Sequence, residues 1–280
     1  MKQAAREGVE VESLPIRSGR VDTEALKKML RPETVLVSMD AVCGETGIIW
    51  NTRAVAQLLR ASRGPGEGRV LLHVDASQAP LTEKITRAHF GAGLMVLDAS
   101  KVGSVRGIGA LIASRTIDIE PLYKGGGQER GLSPGSESPE LASAFAAVLR
   151  AAAENRETFR AASERMRADL TSRILNIPNI SINEGRAQAP HILNISLPGR
   201  DTDYLVALLD EEGFAVSTRS ACETDSQTGS RAVFALTGDC ERARATLRVS
   251  WGPDVSSRDL DRFARALIKQ VAFVDRDSRG

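Results

Sequence analysis

Short apolar runs alternate with amphipathic stretches through the first half of the chain, the pattern of βα units. Val35–Asp40 (VLVSMD), Val70–Asp75 (VLLHVD), Leu94–Asp98 and Ile108–Ser114 (IGALIAS) predict four strands. Between the first two, Asn51-Thr52 predicts a capped helix start running through Leu59, with Val55, Leu58 and Leu59 on its apolar face. Strands this apolar predict a sheet covered by helices on both faces. Residues 63–68 (RGPGEG) and 125–140 (GGGQERGLSPGSESPE) read as loops. From Pro139 to about Ile177 the chain is Ala- and Arg-rich and helical. His191–Pro198 alternates like a strand, Asp201–Glu212 is an amphipathic helix ended by Gly213, and Phe214–Ser217 and Leu247–Ser250 are strand-like. Ser256 or Ser257 caps a last helix with Leu260, Phe263, Leu267 and Val271 on one face. The change of texture predicts two domains, 1–155 and 156–280, meeting within the long helix.

Composition narrows the classes. The 280 residues are 42% hydrophobic and 26% charged, as in ordinary soluble domains. Thirty-seven basic residues against thirty-six acidic ones leave +1, so no global field recruits nucleic acid or an anionic membrane. No apolar run reaches the ~18 residues of a membrane span, and the N-terminus lacks a secretory apolar core. Cys43, Cys222 and Cys240 form neither a disulfide framework nor a zinc pattern, and the histidines have no ligand spacing around them. A reduced, cytoplasmic α/β protein without a metal site is expected.

Chemistry enters at two strand ends, where open α/β sheets place their ligands. Asp75 lies in HVDASQA (73–79), and Lys101 follows 26 residues later in LDASKVGS. A lysine for a Schiff base and a carboxylate for a pyridinium nitrogen are what pyridoxal phosphate demands. Taken alone, the pair also reads as a helix cap and a solvated lysine.

Further motifs share one order with these: Glu45-Thr46-Gly47, GGGQERG from Gly125, PHILNISLPG at 190–199, AVSTRSAC at 215–222 and LRVSWG at 247–252. In order and spacing the chain resembles the cysteine desulfurases and selenocysteine lyases, pyridoxal-phosphate enzymes of the class V aminotransferase fold. The resemblance implies a large α/β cofactor domain followed by a small C-terminal α/β domain. It implies Lys101 as the Schiff-base lysine and proton shuttle, with Asp75 at the ring nitrogen and Gln78 at the phenolic oxygen. Ser100 precedes the lysine, and Ser136 stands where a hydroxyl reaches the phosphate of a partner subunit's cofactor. Arg248 would grip the substrate carboxylate. Cys222 would be the thiolate nucleophile that takes sulfur from L-cysteine as a persulfide, leaving alanine, and Arg219 would favour its ionised form. A homodimer and a sulfur-acceptor or iron–sulfur scaffold protein are the implied partners.

The chain also departs from that pattern. Asp98 and Ser100 stand where serine and histidine are usual before the lysine, Cys43-Gly44 where Asn-Asn precedes Glu-Thr-Gly, and Ser133 and Pro253 where arginines are usual. By resemblance, about a hundred residues carrying a phosphate-cradling loop and a ring-stacking histidine precede this stretch in the family. Three activities follow as expectations: a cysteine desulfurase, its close variant a selenocysteine lyase, and a non-catalytic degenerate homologue serving as partner or scaffold. Cys43 reads as a packing residue, His73 as a satisfied core histidine and Cys240 as a surface or helix-start residue.

Overall fold

The computed structural model describes residues 6–62, 68–218 and 229–277. A two-residue hairpin, β1 (Ile16–Arg17) with β2 (Arg20–Val21), leads into α1 (Thr23–Met29), whose cap Asp22 accepts from the Glu24 and Ala25 N–H groups. Then follow β3 (Leu36–Asp40), α2 (Thr52–Ala61), β4 (Leu71–Asp75), the single turn α3 (Arg87–Phe90), β5 (Leu94–Asp98) and β6 (Gly109–Ala113). The four strands lie in sequence order, with β3, β4 and β5 parallel and β6 antiparallel to β5. Asn51 stands at the start of α2 without capping it. Its amide instead bonds both backbone groups of Val21, which ties the β1–β2 hairpin to the helix.

The strands of this sheet alternate rather than bury both faces. Val37 and Met39, Leu72 and Val74, and Met95 and Leu97 point into a core completed by Val55 and Leu59 of α2 and Phe90 of α3. The opposite face carries Leu36, Ser38, Asp40, His73, Asp75, Val96, Asp98 and Leu111, all exposed or half-buried. The expectation of helices on both faces therefore fails among the described residues: one face is covered and the other stays open. Ser38 and His73 share a hydrogen bond of 2.8 Å on the open face.

The helix α4 (Pro139–Ile174) runs past two separate cores. Its Phe145 and Ala152 join the first, and its Met166, Leu170 and Ile174 the second. The second sheet consists of β7 (Ser181–Ile182), β8 (Ile192–Ser196) and, across the connecting helices, β9 (Thr246–Ser250), all antiparallel with β8 central. Between β8 and β9 lie α5 (Thr202–Glu211), α6 (Arg231–Thr237) and α7 (Cys240–Arg244), capped by Asp201, Ser230 and Asp239. The last helix, α8 (Ser257–Asp277), buries Leu260, Phe263, Leu267 and Val271 as its spacing predicts.

Strand β8 keeps the predicted alternation, yet all five of its residues are buried. Leu193 and Ile195 enter the second core. Asn194 and Ser196 enter a polar network instead: the Asn183 side-chain amide donates to Asn194 Oδ1 and Ser196 Oγ, each at 2.7 Å, and Arg242 donates to Asn183 Oδ1 at 2.6 Å. A buried polar group without such partners would cost on the order of 1–3 kcal/mol. The segment Phe214–Ser217 forms only an isolated bridge from Ser217 to Arg248 rather than the predicted strand. The short helices α6 and α7 had no sequence prediction because neither is long enough for a 3.6-residue period to register.

Candidate active site

Where the first sheet ends, the chain makes three loops that the second sheet closes over. The first is Cys43–Gly47. Gly47 adopts φ +75°, and a Cβ there would lie 2.7 Å from the Ile192 carbonyl and 2.6 Å from Gln188 Nε2, so only glycine admits this approach. Three side chains from the second half fasten the loop. Asn194 donates to the Glu45 carbonyl at 3.2 Å, Gln188 to the Thr46 carbonyl, and Arg248 to the Gly44 carbonyl at 3.0 Å. The Asn and Arg of the two strand motifs thus act from adjacent strands, because β8 and β9 pair Asn194 with Arg248.

The second loop follows β4. Asp75 is exposed and accepts the Ser77 N–H at 2.9 Å, which turns the chain so that Gln78 faces inward. A Cβ at Gly44 would stand 3.1 Å from Gln78 Nε2, so the glycine leaves the Gln78 amide its room.

The third loop follows β5, where Ala99–Lys101 forms one 3-10 turn capped by Asp98. Asp98 Oδ1 accepts the Ser100 N–H at 2.8 Å and Oδ2 accepts the Ser100 hydroxyl at 2.9 Å. Arg106 Nη1 donates to the Ser100 and Gly103 carbonyls at 3.2 and 3.0 Å and holds the turn from outside.

These loops enclose a cleft of about 840 Å³ lined by Gly44, Gln78, Ser100, Lys101, His191 and Arg248 among others. Four of the residues singled out in the sequence thus come together from positions far apart in the chain. Asp75 ends the neighbouring strand without lining this cleft, and Ser136 is exposed on the loop before α4. Cys222 and Arg219 lie outside the described residues. Cys43 is buried and burial pushes its thiol up, in keeping with a packing role. Cys240 is exposed at the first position of α7.

The sequence reading missed His191 and Trp251 as cleft residues. They lie side by side, the Trp251 backbone N–H donating to the His191 carbonyl at 3.1 Å, and the imidazole meets the edge of Phe159. His191 is only 4% exposed, with no partner for Nδ1 among the described residues. Burial, then the nearby Arg160 guanidinium, push this imidazole down to about 4, so it is neutral at physiological pH. The signal was available: His191 immediately precedes the strand that pairs with the one carrying Arg248.

Among the described residues no cluster of His, Cys, Asp and Glu forms a metal site, and no helix is long and apolar enough to cross a membrane.

The chain is 30% identical over 274 residues to the mitochondrial cysteine desulfurase of Candida albicans, covering 96% of this chain and 54% of that protein. It is 32% identical to the cysteine desulfurase IscS of Salmonella arizonae, covering 93% of this chain and 63% of the relative. A solved NifS-like protein superimposes with a TM-score of 0.86 at 25% identity, covering 97% of this chain and 71% of that one. The chain therefore spans about half to two thirds of the length of the curated relatives it matches. The profile of the family described as aminotransferase class-V matches residues 1–263, and the chain belongs to that family.

Proposed function

We propose that this chain is a pyridoxal-phosphate-dependent cysteine desulfurase that converts L-cysteine to L-alanine, the activity named for its relatives. The observation that carries the proposal is the convergence of Gln78, Lys101 and Arg248, from three separate segments, on one cleft. Family enzymes depend on pyridoxal phosphate, which when bound supplies an electron sink at the substrate's α-carbon. Within the cleft the Gly44 gap leaves the Gln78 amide open to such a group and Arg248 stands at the substrate end, whereas Asp75, expected at the ring nitrogen, does not line it. The phosphate end does not fit within the described residues, because Asp98 occupies both donors of Ser100.

Arg248 binds the substrate carboxylate. Its Nη1 is already fixed on Gly44, so the guanidinium is oriented before substrate arrives, and its planar fork suits a bidentate carboxylate. Lys101 presents its amine at the cleft as the base that takes and returns the α-proton. Neutral His191 and the Trp251 indole close the substrate end without adding charge. The sulfur acceptor is Cys222, assigned from its Ser-Ala-Cys motif. In the net reaction the substrate's C–S bond is replaced by C–H and the Cys222 S–H by S–S–H. Cysteine becomes alanine with no outside oxidant or reductant. Ser136, exposed on its loop, is proposed to reach the second subunit of a dimer.

The test is to mix the purified chain with pyridoxal phosphate and L-cysteine and assay alanine and the visible absorption band. A band lost in Lys101→Ala, with alanine formed by the parent and not by Cys222→Ala, supports the reading. A band with no alanine overturns it. The occupied phosphate end favours a second reading, a non-catalytic homologue, for which the same experiment gives no band.

A further inference from the structure

The three-residue turn that presents Lys101 is capped by a negative charge, Asp98, where the cofactor of the proposed reaction would bring another. In pyridoxal phosphate the aldehyde carbon and the phosphate-bearing carbon sit on adjacent ring positions. A cofactor joined to Lys101 Nζ would carry its phosphate one ring position from that bond, within reach of the residues flanking Lys101. On the N-terminal side those residues are Asp98, Ala99 and Ser100. The two donors there, the Ser100 N–H and hydroxyl, both point at the Asp98 carboxylate, at 2.8 and 2.9 Å. Asp98 is itself half-buried, so the repulsion between its charge and a phosphate is less screened than at an open surface. Arg106, on the same loop, lines the cleft with its charge retained and anchors the turn through Nη1 on the Ser100 and Gly103 carbonyls.

We infer that Asp98 is a specificity-determining residue that disfavours the phosphate of the cofactor while leaving the aldehyde and ring ends of the site open. The inference rests on the proposal that this cleft holds pyridoxal phosphate, and it concerns only the turn from Asp98 to Lys101. Its chemical consequence is discrimination by charge: the non-phosphorylated aldehyde pyridoxal meets no penalty at Asp98, whereas the phosphate ester does.

Two substitutions isolate the charge. Asp98→Asn keeps an oxygen for the Ser100 N–H and removes the charge, and Asp98→Ser keeps a small capping acceptor, so both preserve the means to cap the turn. Each variant and the parent are titrated with pyridoxal phosphate and, separately, with pyridoxal. Binding is followed by the visible band and by quenching of Trp251, which lines the cleft. The expected result is at least tenfold tighter binding of pyridoxal phosphate in both variants, with pyridoxal affinity changed less than twofold. Thermal melts without ligand check that the variants fold. Unchanged or weaker binding of pyridoxal phosphate in both variants, with the band still formed, overturns the role of Asp98 and leaves the cofactor proposal standing. Equal gains for both ligands also overturn it, since then the phosphate is not what Asp98 meets. Absence of band and quenching with both ligands in all three proteins overturns the cofactor proposal, and the inference falls with it.

Discussion

The two sheets treat their second faces differently. In the first, the face with Leu36, Ser38, His73, Asp75 and Leu111 is open or half-open among the described residues, and Leu111 is 51% exposed. In the second, the central strand β8 buries every residue, with Leu193 and Ile195 on one face and Ile192 beside the hydrogen-bonded Asn194 and Ser196 on the other. The first-sheet strands read as apolar runs and β8 as an alternating one, yet it is β8 that buries both faces, so the pattern alone does not say whether a second face meets water or protein. What distinguishes them is the partner. Asn194 has Asn183 and the Glu45 carbonyl across from it, whereas among the described residues Ser38 is hydrogen-bonded to a strand neighbour, His73.

This contrast sets the order of expected effects. Ile195, fully buried in the second core, should cost about 2–5 kcal/mol on substitution to alanine, read as a shift in the urea midpoint. A loss under 1 kcal/mol would mean that the second core is far looser than its burial indicates.

The next largest effect is on acid stability. His191 has its proton affinity lowered on folding, to about 4 from an ordinary 6.5. The folded state then binds fewer protons than the unfolded one between those values, so stability is full above about pH 6.5 and falls as pH drops toward 4. The loss is on the order of 3 kcal/mol. Urea unfolding at pH 7.5 and 4.5 measures it, and His191→Phe should flatten the dependence. An unchanged slope in that variant would assign the acid limb to another group.

Asn194→Ala should cost about 1–3 kcal/mol, because it leaves Asn183 short of an acceptor in a buried site. It should also loosen the Glu45 carbonyl at the cleft, seen as faster amide exchange in residues 43–47. Asp40, beside Asp75 on the first sheet, has its carboxyl pushed up by burial and secondarily by that neighbour. The folded state holds this proton more tightly, so stability declines as pH rises through the ordinary carboxylate range. Asp40→Asn should accordingly raise the melting temperature at pH 7 and leave it little changed at pH 3. Smallest of all, Leu111→Ala on the open face should stay within about 0.5 kcal/mol. A cost near that of Ile195→Ala would show that the open face is covered in solution, which would erase the contrast between the sheets.

Element types and approximate limits were legible from the chain alone wherever the period ran long: four strands of the first sheet, α4, α5 and α8 follow from spacing and caps. The motifs around Gln78, Lys101 and Arg248 were legible too, through the resemblance of their order and spacing to one family. Local signals misled where a side chain had a distant use for its hydrogen bonds. Asn51 has the look of a cap but serves Val21, thirty residues away, because the hairpin's backbone groups needed partners.

Pattern and residue chemistry, which are local, determined which segments become strands and helices and which side chains are able to hold a carboxylate, an amine or a ring. Only the tertiary structure decided what each of those groups faces. It set Arg248 on the Gly44 carbonyl, turned both donors of Ser100 toward Asp98, brought His191 to the cleft as a neutral imidazole, and left one face of the first sheet open. Those outcomes depend on distances between segments tens to hundreds of residues apart. Charge, desolvation and hydrogen bonding act through such distances in space, and no period or spacing along the chain encodes them.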